Sequence, residues 1–303
     1  MKVPKGVQMP SPAANVQINI VLFTLINPKR DQFIPQPADA WMQELVEQNL
    51  PGVFEAGLRL ATITRLSKPE DGDDSAIKRV LPGGVFDLGH ETVADGARRI
   101  LQEDLGISGV KLFQLRIFDK PGRDPEQPNM VIPFWGIIPY QEVQRYLGGK
   151  YRVAPVTVNS KDTMTYLAMR AGNTEGFRGL SAFGARDRRT ERRITSEMLW
   201  GRKILALDYD DMVFAAWRRL RPLYERHPDP FELMDPYGFR MSELQEVSEV
   251  VLGEFRQRDQ FRRTMLESSS WLTASKKLDR SSPGKPAQLY SLSESSPFLN
   301  IEE

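Results

Sequence analysis

The chain has no cysteine among its 303 residues, which excludes disulfides and thiolate metal centres and fits a reducing, cytoplasmic setting. It also lacks any apolar run long enough to span a bilayer, so no membrane partner is expected. The longest such run, 18–26, is interrupted by Asn19 and Thr24 and reads as a strand. The N-terminus lacks the charged-then-apolar order of a signal peptide. Excess charge is nearly absent as well, at +1 overall, so the arrangement of charge carries more than its sum. Seven arginines stand against three acids within 170–193, and a second basic cluster comprises Arg256, Arg258, Arg262, Arg263, Lys276, Lys277, Arg280 and Lys285. Both clusters could face phosphate.

With 40% hydrophobic residues, the chain can bury two sizeable cores. Residues 1–15 are rich in proline and small residues and read as a flexible terminus. A strand is expected at 16–25 and another at 58–66, with a helix at 40–48 between them and an acidic loop at 68–74. Strands at 110–118 and 130–138 are separated by a polar hairpin, 119–129. A short helix is expected at 163–170, and 171–189 reads as an arginine- and glycine-rich loop. Helical spacing returns from 194 to 220, with Ile204, Leu207, Met212, Ala215, Trp217 and Leu220 as its apolar positions, and His227-Pro228-Asp229-Pro230 breaks it. Five parts are therefore expected: the terminus, an α+β domain at 16–205 with an arginine-rich insertion near 170–193, a linker helix within 206–230, a C-terminal domain at 231–292 and a disordered tail at 293–303.

The most distinctive stretch is 81–107, LPGGVFDLGHETVADGARRILQEDLGI. Thr92 followed by Asp95 is an N-cap signal; Ala94, Ala97, Leu101 and Leu105 recur at helical spacing, and Gly106 ends the helix. The stretch resembles the Nudix box, G-x5-E-x7-R-E-U-x-E-E-x-G-U, with U a bulky aliphatic residue. Glu91, Arg99, Leu101, Glu103, Asp104, Gly106 and Ile107 fall in register. Two departures stand out: Gly84 lies one residue too far from Glu91, as if His90 were inserted, and Ile100 occupies the position of the glutamate after the arginine. In the family those carboxylates hold magnesium against a diphosphate, and isoleucine supplies no oxygen ligand. The resemblance implies a Nudix α/β/α sandwich with no catalytic residues of its own. It implies an effector pocket lined by Gly83, Gly84, Glu91, Arg99, Glu103 and Asp104, with Glu103 and Asp104 as candidate metal ligands.

The C-terminal segment resembles the winged helix-turn-helix domain of the Nudix-related transcriptional regulators of NAD metabolism. The matching residues are Phe239 with 241–247, the R-D-x-F-R-R segment at 258–263, and G-x-P-A-x-L-Y at 284–290. Independently of the resemblance, a helix starting near Arg258 would turn Phe261, Met265 and Leu266 to a core and leave Arg258, Gln260, Arg262 and Arg263 outward. Arginine and glutamine make paired hydrogen bonds to base edges, and Lys277 and Lys285 on the following hairpin suit phosphate.

Together the two resemblances imply a repressor. Its Nudix domain would sense ADP-ribose or a related NAD metabolite, with Mg2+ at most as a companion and no cofactor required, and a homodimer would read a palindromic operator. Two alternatives stay open: an active Nudix hydrolase with an accessory DNA-binding domain, and a constitutive DNA-binding protein whose Nudix half only dimerises.

Overall fold

The computed structural model describes residues 15–26, 58–67, 78–125, 129–139, 142, 151–161, 164–171, 174–179, 205, 207–235, 237–253, 256–267, 271–279 and 286–293. The helix expected at 40–48, the loop at 68–74, nearly all of the proposed terminus and tail, and the arginine cluster from 180 onward lie outside them.

The N-terminal domain is built on a mixed sheet. Its strands are β1 (Asn15–Ile26), β2 (Arg59–Ser67), β3 (Lys78–Val80), β4 (Gly83–Val85), β5 (Phe113–Gln114), β6 (Asn129–Ile137), β7 (Tyr151–Lys161), β8 (Met164–Ala171) and β9 (Thr174–Gly179). They lie in the order β5-β6-β1-β2-β7-β8-β9, with β3 beside β2 and β4 beside β1. β1 and β6 run parallel, Ile18 opposite Ile132 and Phe23 opposite Ile137.

Central parallel strands are covered on both faces, which is why QINIVLF has so little alternation between polar and apolar residues. Alternate side chains enter two different cores. Ile18, Ile20, Leu22, Ile132 and Phe134 pack with Ala97, Ile100, Leu101 and Leu105 of helix α1 (Val93–Leu105). Val21, Phe23, Val131 and Trp135 pack with Met212, Val213, Trp217 and Leu220 of α2 (Tyr209–Arg226) and with Val247 and Val251 of α3 (Met241–Leu252).

Two expectations need correction. Of the helix expected at 163–170, the described residues 164–170 are not helical but form most of β8, although Leu167, Ala168 and Met169 favour helices in isolation. β7 pairs with β8 from Val156–Met169 to Lys161–Met164, and β8 with β9 from Tyr166–Gly179 to Ala171–Thr174. Each connection spans two residues, and the second is Gly172-Asn173, a hairpin turn signal. Part of the expected loop at 171–189 is accordingly the strand β9. Pairing partners override local propensity here. Of the helix expected from 194, the described part is α2 from Tyr209; Leu207 before it has φ 51°, a left-handed conformation that a continuing helix cannot contain, and 194–204 lie outside the described residues.

Helix α2 is bound at both ends. Asp208, just before its first turn, pairs with Arg123 from the hairpin at 119–129: Arg123 Nε donates to Asp208 Oδ2 at 3.2 Å and Nη2 to Oδ1 at 2.5 Å. The Arg123 side chain is 2% exposed and also donates to the Asn129 side-chain oxygen. Trp217 Nε1 donates to the Val251 carbonyl at 2.7 Å, joining α2 to α3. Beyond the helix, Phe231 sits against Phe113 and Trp135 of the sheet, with ring centroids at 6.1 and 5.9 Å.

The buried His227-Pro228-Asp229-Pro230 segment connects this helix to the C-terminal domain. The Asp229 carboxylate accepts hydrogen bonds from the backbone N–H of Leu233 at 3.0 Å and of Met234 at 2.8 Å, while His227 Nδ1 accepts from Asp229 N–H at 3.1 Å. Burial outweighs these donors and pushes the Asp229 carboxyl up from 3.8 to about 6. A folded-state pKa above the unfolded value means that this group's stabilisation is full below the unfolded pKa and is lost as pH rises through the folded one. Wild-type stability relative to Asp229→Asn is therefore expected to decline between roughly pH 4 and 6. Urea unfolding of both proteins across that window measures it, and parallel curves would contradict the assignment.

The C-terminal domain contains α3, α4 (Arg258–Glu267) and a three-stranded sheet ordered β10 (Phe239–Arg240), β12 (Ala287–Leu292), β11 (Leu272–Asp279). Phe239, Leu244, Phe261 and Tyr290 make its small core. Arg240 forms an ion pair with Asp279, tying the start of α3 to the wing strand β11. Among the described residues, no helix is long and apolar enough to cross a membrane.

Candidate functional site

The first site is the loop and helix at 82–106. β4 lies antiparallel on β1, with Gly83 opposite Asn19 and Gly84 opposite Ile18. A Cβ on Gly83 would stand 2.2 Å from Asn19 Nδ2 and 2.6 Å from the Ile18 carbonyl oxygen, so this close approach requires glycine. Thr92 caps α1, its Oγ1 accepting from Asp95 N–H at 3.2 Å, and Gly106 closes the helix at φ 71°.

The extra residue between Gly84 and Glu91 is absorbed in an exposed turn. Gly89 has φ 98°, and His90 Nδ1 lies 2.8 Å from Asp87 Oδ1. Glu91 keeps its place: its Oε1 accepts Asp87 N–H at 3.0 Å. Arg99 clasps the same carboxylate with two bonds, Nε to Oε2 at 2.9 Å and Nη2 to Oε1 at 2.7 Å. The guanidinium also reaches Glu103 at 2.9 Å and the Val85 carbonyl at 3.1 Å. The Arg99 hydrogen bonds, aided by the Asp87 N–H, lower the Glu91 carboxyl to about 2, so it stays ionised throughout the physiological range.

Ile100 points into the core at 3% exposure and packs beneath the glycine loop. A Cβ on Gly84 would meet Ile100 Cγ1 at 3.3 Å. Where the Nudix motif has its central carboxylate, an aliphatic side chain fills the space. Asp104 is turned to the loop, accepting Gly83 N–H at 3.3 Å with Arg65 Nη1 at 3.7 Å. Glu103 is exposed and engaged by Arg99.

These residues do not fit a tightly held magnesium ion. One carboxylate position is aliphatic, two carboxylates are held by arginine and one by a backbone donor and a second arginine. Among the described residues, no group of three or more metal-ligating side chains is gathered together. What the arrangement offers a diphosphate is guanidinium and backbone N–H groups beside a glycine loop.

Three contributors carry no signal in the motif. Gly96 lets Glu91 fold over the first turn of α1, since a Cβ there would lie 2.9 Å from Glu91 Oε1. Arg65 arrives from β2, and the buried Asn19 supports Gly83 from β1.

The second site is the outer face of α4. Phe261 is buried in the domain core, while Arg258, Gln260, Arg262 and Arg263 are all exposed, as is Lys277 on β11. Lys285 lies outside the described residues. The turn before α4 is held by side chains: Gln245 Nε2 donates to the Arg256 carbonyl at 2.8 Å, and Glu249 Oε1 accepts Arg256 N–H at 2.9 Å. The helix is thus fixed on α3 with its arginines outward. Leu266, expected in the core, is instead 44% exposed, and Met265 takes the inward place. The physical reason is spacing: 261 and 265 share a helix face, whereas 266 lies about 140° round the axis from 261.

Comparison with known proteins agrees with both halves. Residues 230–292 match the family described as the NrtR DNA-binding winged helix domain. A curated relative, the ADPR responsive transcriptional repressor NtrR of Acinetobacter baylyi, is 24% identical over 246 residues, which cover 81% of this chain and 80% of that protein. Among solved structures, a MutT/nudix family protein from Enterococcus faecalis superposes with TM-score 0.58 at 15% identity, covering 93% of this chain and 89% of the other. Shewanella oneidensis NrtR complexed with a 27mer DNA superposes with TM-score 0.53 at 19% identity, covering 92% of this chain and 93% of the other.

Fold and sites define a Nudix-like domain joined through a helix to a winged helix domain. Residues 230–292 match the winged helix domain of the NrtR family, and over most of its length the chain is similar to the A. baylyi repressor.

Proposed function

We propose that this protein is a DNA-binding transcriptional repressor whose Nudix-like domain senses ADP-ribose, or a closely related NAD metabolite, without hydrolysing it. The observation that carries the reading is Ile100, buried against the glycine loop where hydrolysis would need a carboxylate, in a chain whose other domain presents an arginine-rich helix outward. The A. baylyi relative is named as an ADPR responsive repressor, and the S. oneidensis protein was crystallised on DNA, which supports both ligands here. The effector's diphosphate would lie against Gly83 and Gly84, with Arg99 and Arg65 offering charge and Glu91, Glu103 and Asp104 exchanging partners as it enters. Effector binding needs no metal in this reading, and Glu103 and Asp104 serve the loop rather than a cation. The repressor acts in the cytoplasm as a homodimer on a palindromic operator, with domains at 16–205 and 231–292 joined by the 206–230 linker.

Calorimetry with ADP-ribose, with and without magnesium, tests the first half. Heat of binding with intact ADP-ribose afterwards is the expected result; AMP and ribose phosphate in the mixture would make the protein a hydrolase, and no heat would remove the effector.

For the second half, Arg262→Ala and Arg263→Ala are each expected to weaken binding to a selected duplex by about 1–3 kcal/mol where the side chain contacts a base. A phosphate contact would instead lower affinity uniformly across sequences and flatten the salt dependence. Fluorescence anisotropy at two salt concentrations separates the cases. Unchanged affinity in both variants would exclude α4 as the reading helix.

A further inference from the structure

We infer that Leu266 is a specificity-determining residue, its side chain meeting the methyl group of a thymine in the DNA major groove. The inference rests on the proposed reading of DNA by α4. A helix turns about 100° per residue, so measured from the buried Phe261, Arg262 lies near 100°, Leu266 near 140° and Arg263 near 200°. Leu266 therefore stands on the flank of the outward face, about 40° from the crest opposite Phe261 and between the two arginines. It is 44% exposed, although Phe261 and Met265 already satisfy the small core beneath. The flanking guanidiniums complement phosphate and guanine edges, and the thymine 5-methyl is the apolar group that base edges offer in the major groove. An apolar side chain between cations thus matches a thymine beside guanine or backbone phosphate.

The chemistry can be tested by removing one methyl group at a time. The full-length wild-type protein first selects duplexes from a random library, and each thymine of the consensus is then replaced singly by deoxyuridine. At one or more thymines the wild-type affinity is expected to fall about fourfold, the worth of one buried methyl. Leu266→Ala is expected to bind thymine and deoxyuridine duplexes equally at that position, while Leu266→Met keeps the discrimination. Because Leu266 is exposed, both variants are expected to melt with the wild-type protein. Equal responses of wild-type and Leu266→Ala at every thymine would overturn the inference while leaving DNA reading intact. A change of oligomeric state in Leu266→Ala with unaltered thymine sensitivity would overturn it in favour of a protein contact. Failure of the wild-type protein to select any consensus would overturn the DNA reading and this inference with it.

Discussion

Replacing Asp208 with alanine is expected to destabilise the protein by about 3 kcal/mol, because it leaves Arg123 as a buried guanidinium without its carboxylate. Arg123 is 2% exposed at its side chain and Asp208 20%, so water cannot take over the lost bonds at little cost. The pair joins the hairpin at 119–129 to the first turn of α2 across 85 residues of sequence. Urea unfolding measures the loss. The combined variant Arg123→Met with Asp208→Leu should recover most of it, since an apolar replacement of a whole buried pair removes the stranded charge. A single variant as stable as wild type would mean that the pair holds nothing in place.

Ile100→Glu is expected to destabilise the protein by about 3–5 kcal/mol near neutral pH, for it would place a carboxyl between Gly84 and an aliphatic core. Burial raises such a carboxyl's folded pKa above its unfolded value, so the native state holds the extra proton. Relative to wild type, the variant should therefore be more stable near pH 5 than near pH 8. Ile100→Leu, similar in volume, should cost less than about 1.5 kcal/mol. Thermal melts at the two pH values decide the matter. A glutamate variant as stable as wild type at pH 8 would show that position 100 opens to solvent, as a catalytic carboxylate's position would.

Both substitutions probe the same construction, in which two sheet strands serve two sites. Ile18, Ile20 and Leu22 of β1 pack on the box helix, and Val21 and Phe23 of the same strand pack in the core shared with α2 and α3. Phe134 and Trp135, adjacent on β6, divide in the same way, and Trp135 carries Phe231 at the start of the winged helix domain. A small shift of α1 on effector binding would press on strands whose other face carries the DNA-binding domain. Coupling of a modest size suffices, since a tenfold change in affinity corresponds to about 1.4 kcal/mol.

What could be read from the sequence was what local rules specify. The box helix declares itself by Thr92, the aliphatic period of 97, 101 and 105, and Gly106, and each of these performs the expected role. The order of helix, turn, helix and hairpin in the last domain was legible for the same reason. The hairpins at 151–179 were not, because Leu167, Ala168 and Met169 suit a helix and only pairing with β7 and β9 makes them strand. Leu266 misled because it adjoins an inward position and is itself apolar. Arg123 with Asp208, Arg65 with Asp104, and Glu91 above Gly96 are contacts created by the tertiary fold, with no periodic or spacing signal to announce them.

The most direct test of effector sensing without hydrolysis is the affinity of the full-length protein for its selected duplex, measured by anisotropy with none and with saturating ADP-ribose. The same samples are assayed for AMP. A weakening of DNA binding by about tenfold or more, with the ADP-ribose recovered intact, is the expected result. DNA affinity that ignores ADP-ribose, or conversion of the ligand to AMP and ribose phosphate, would contradict it.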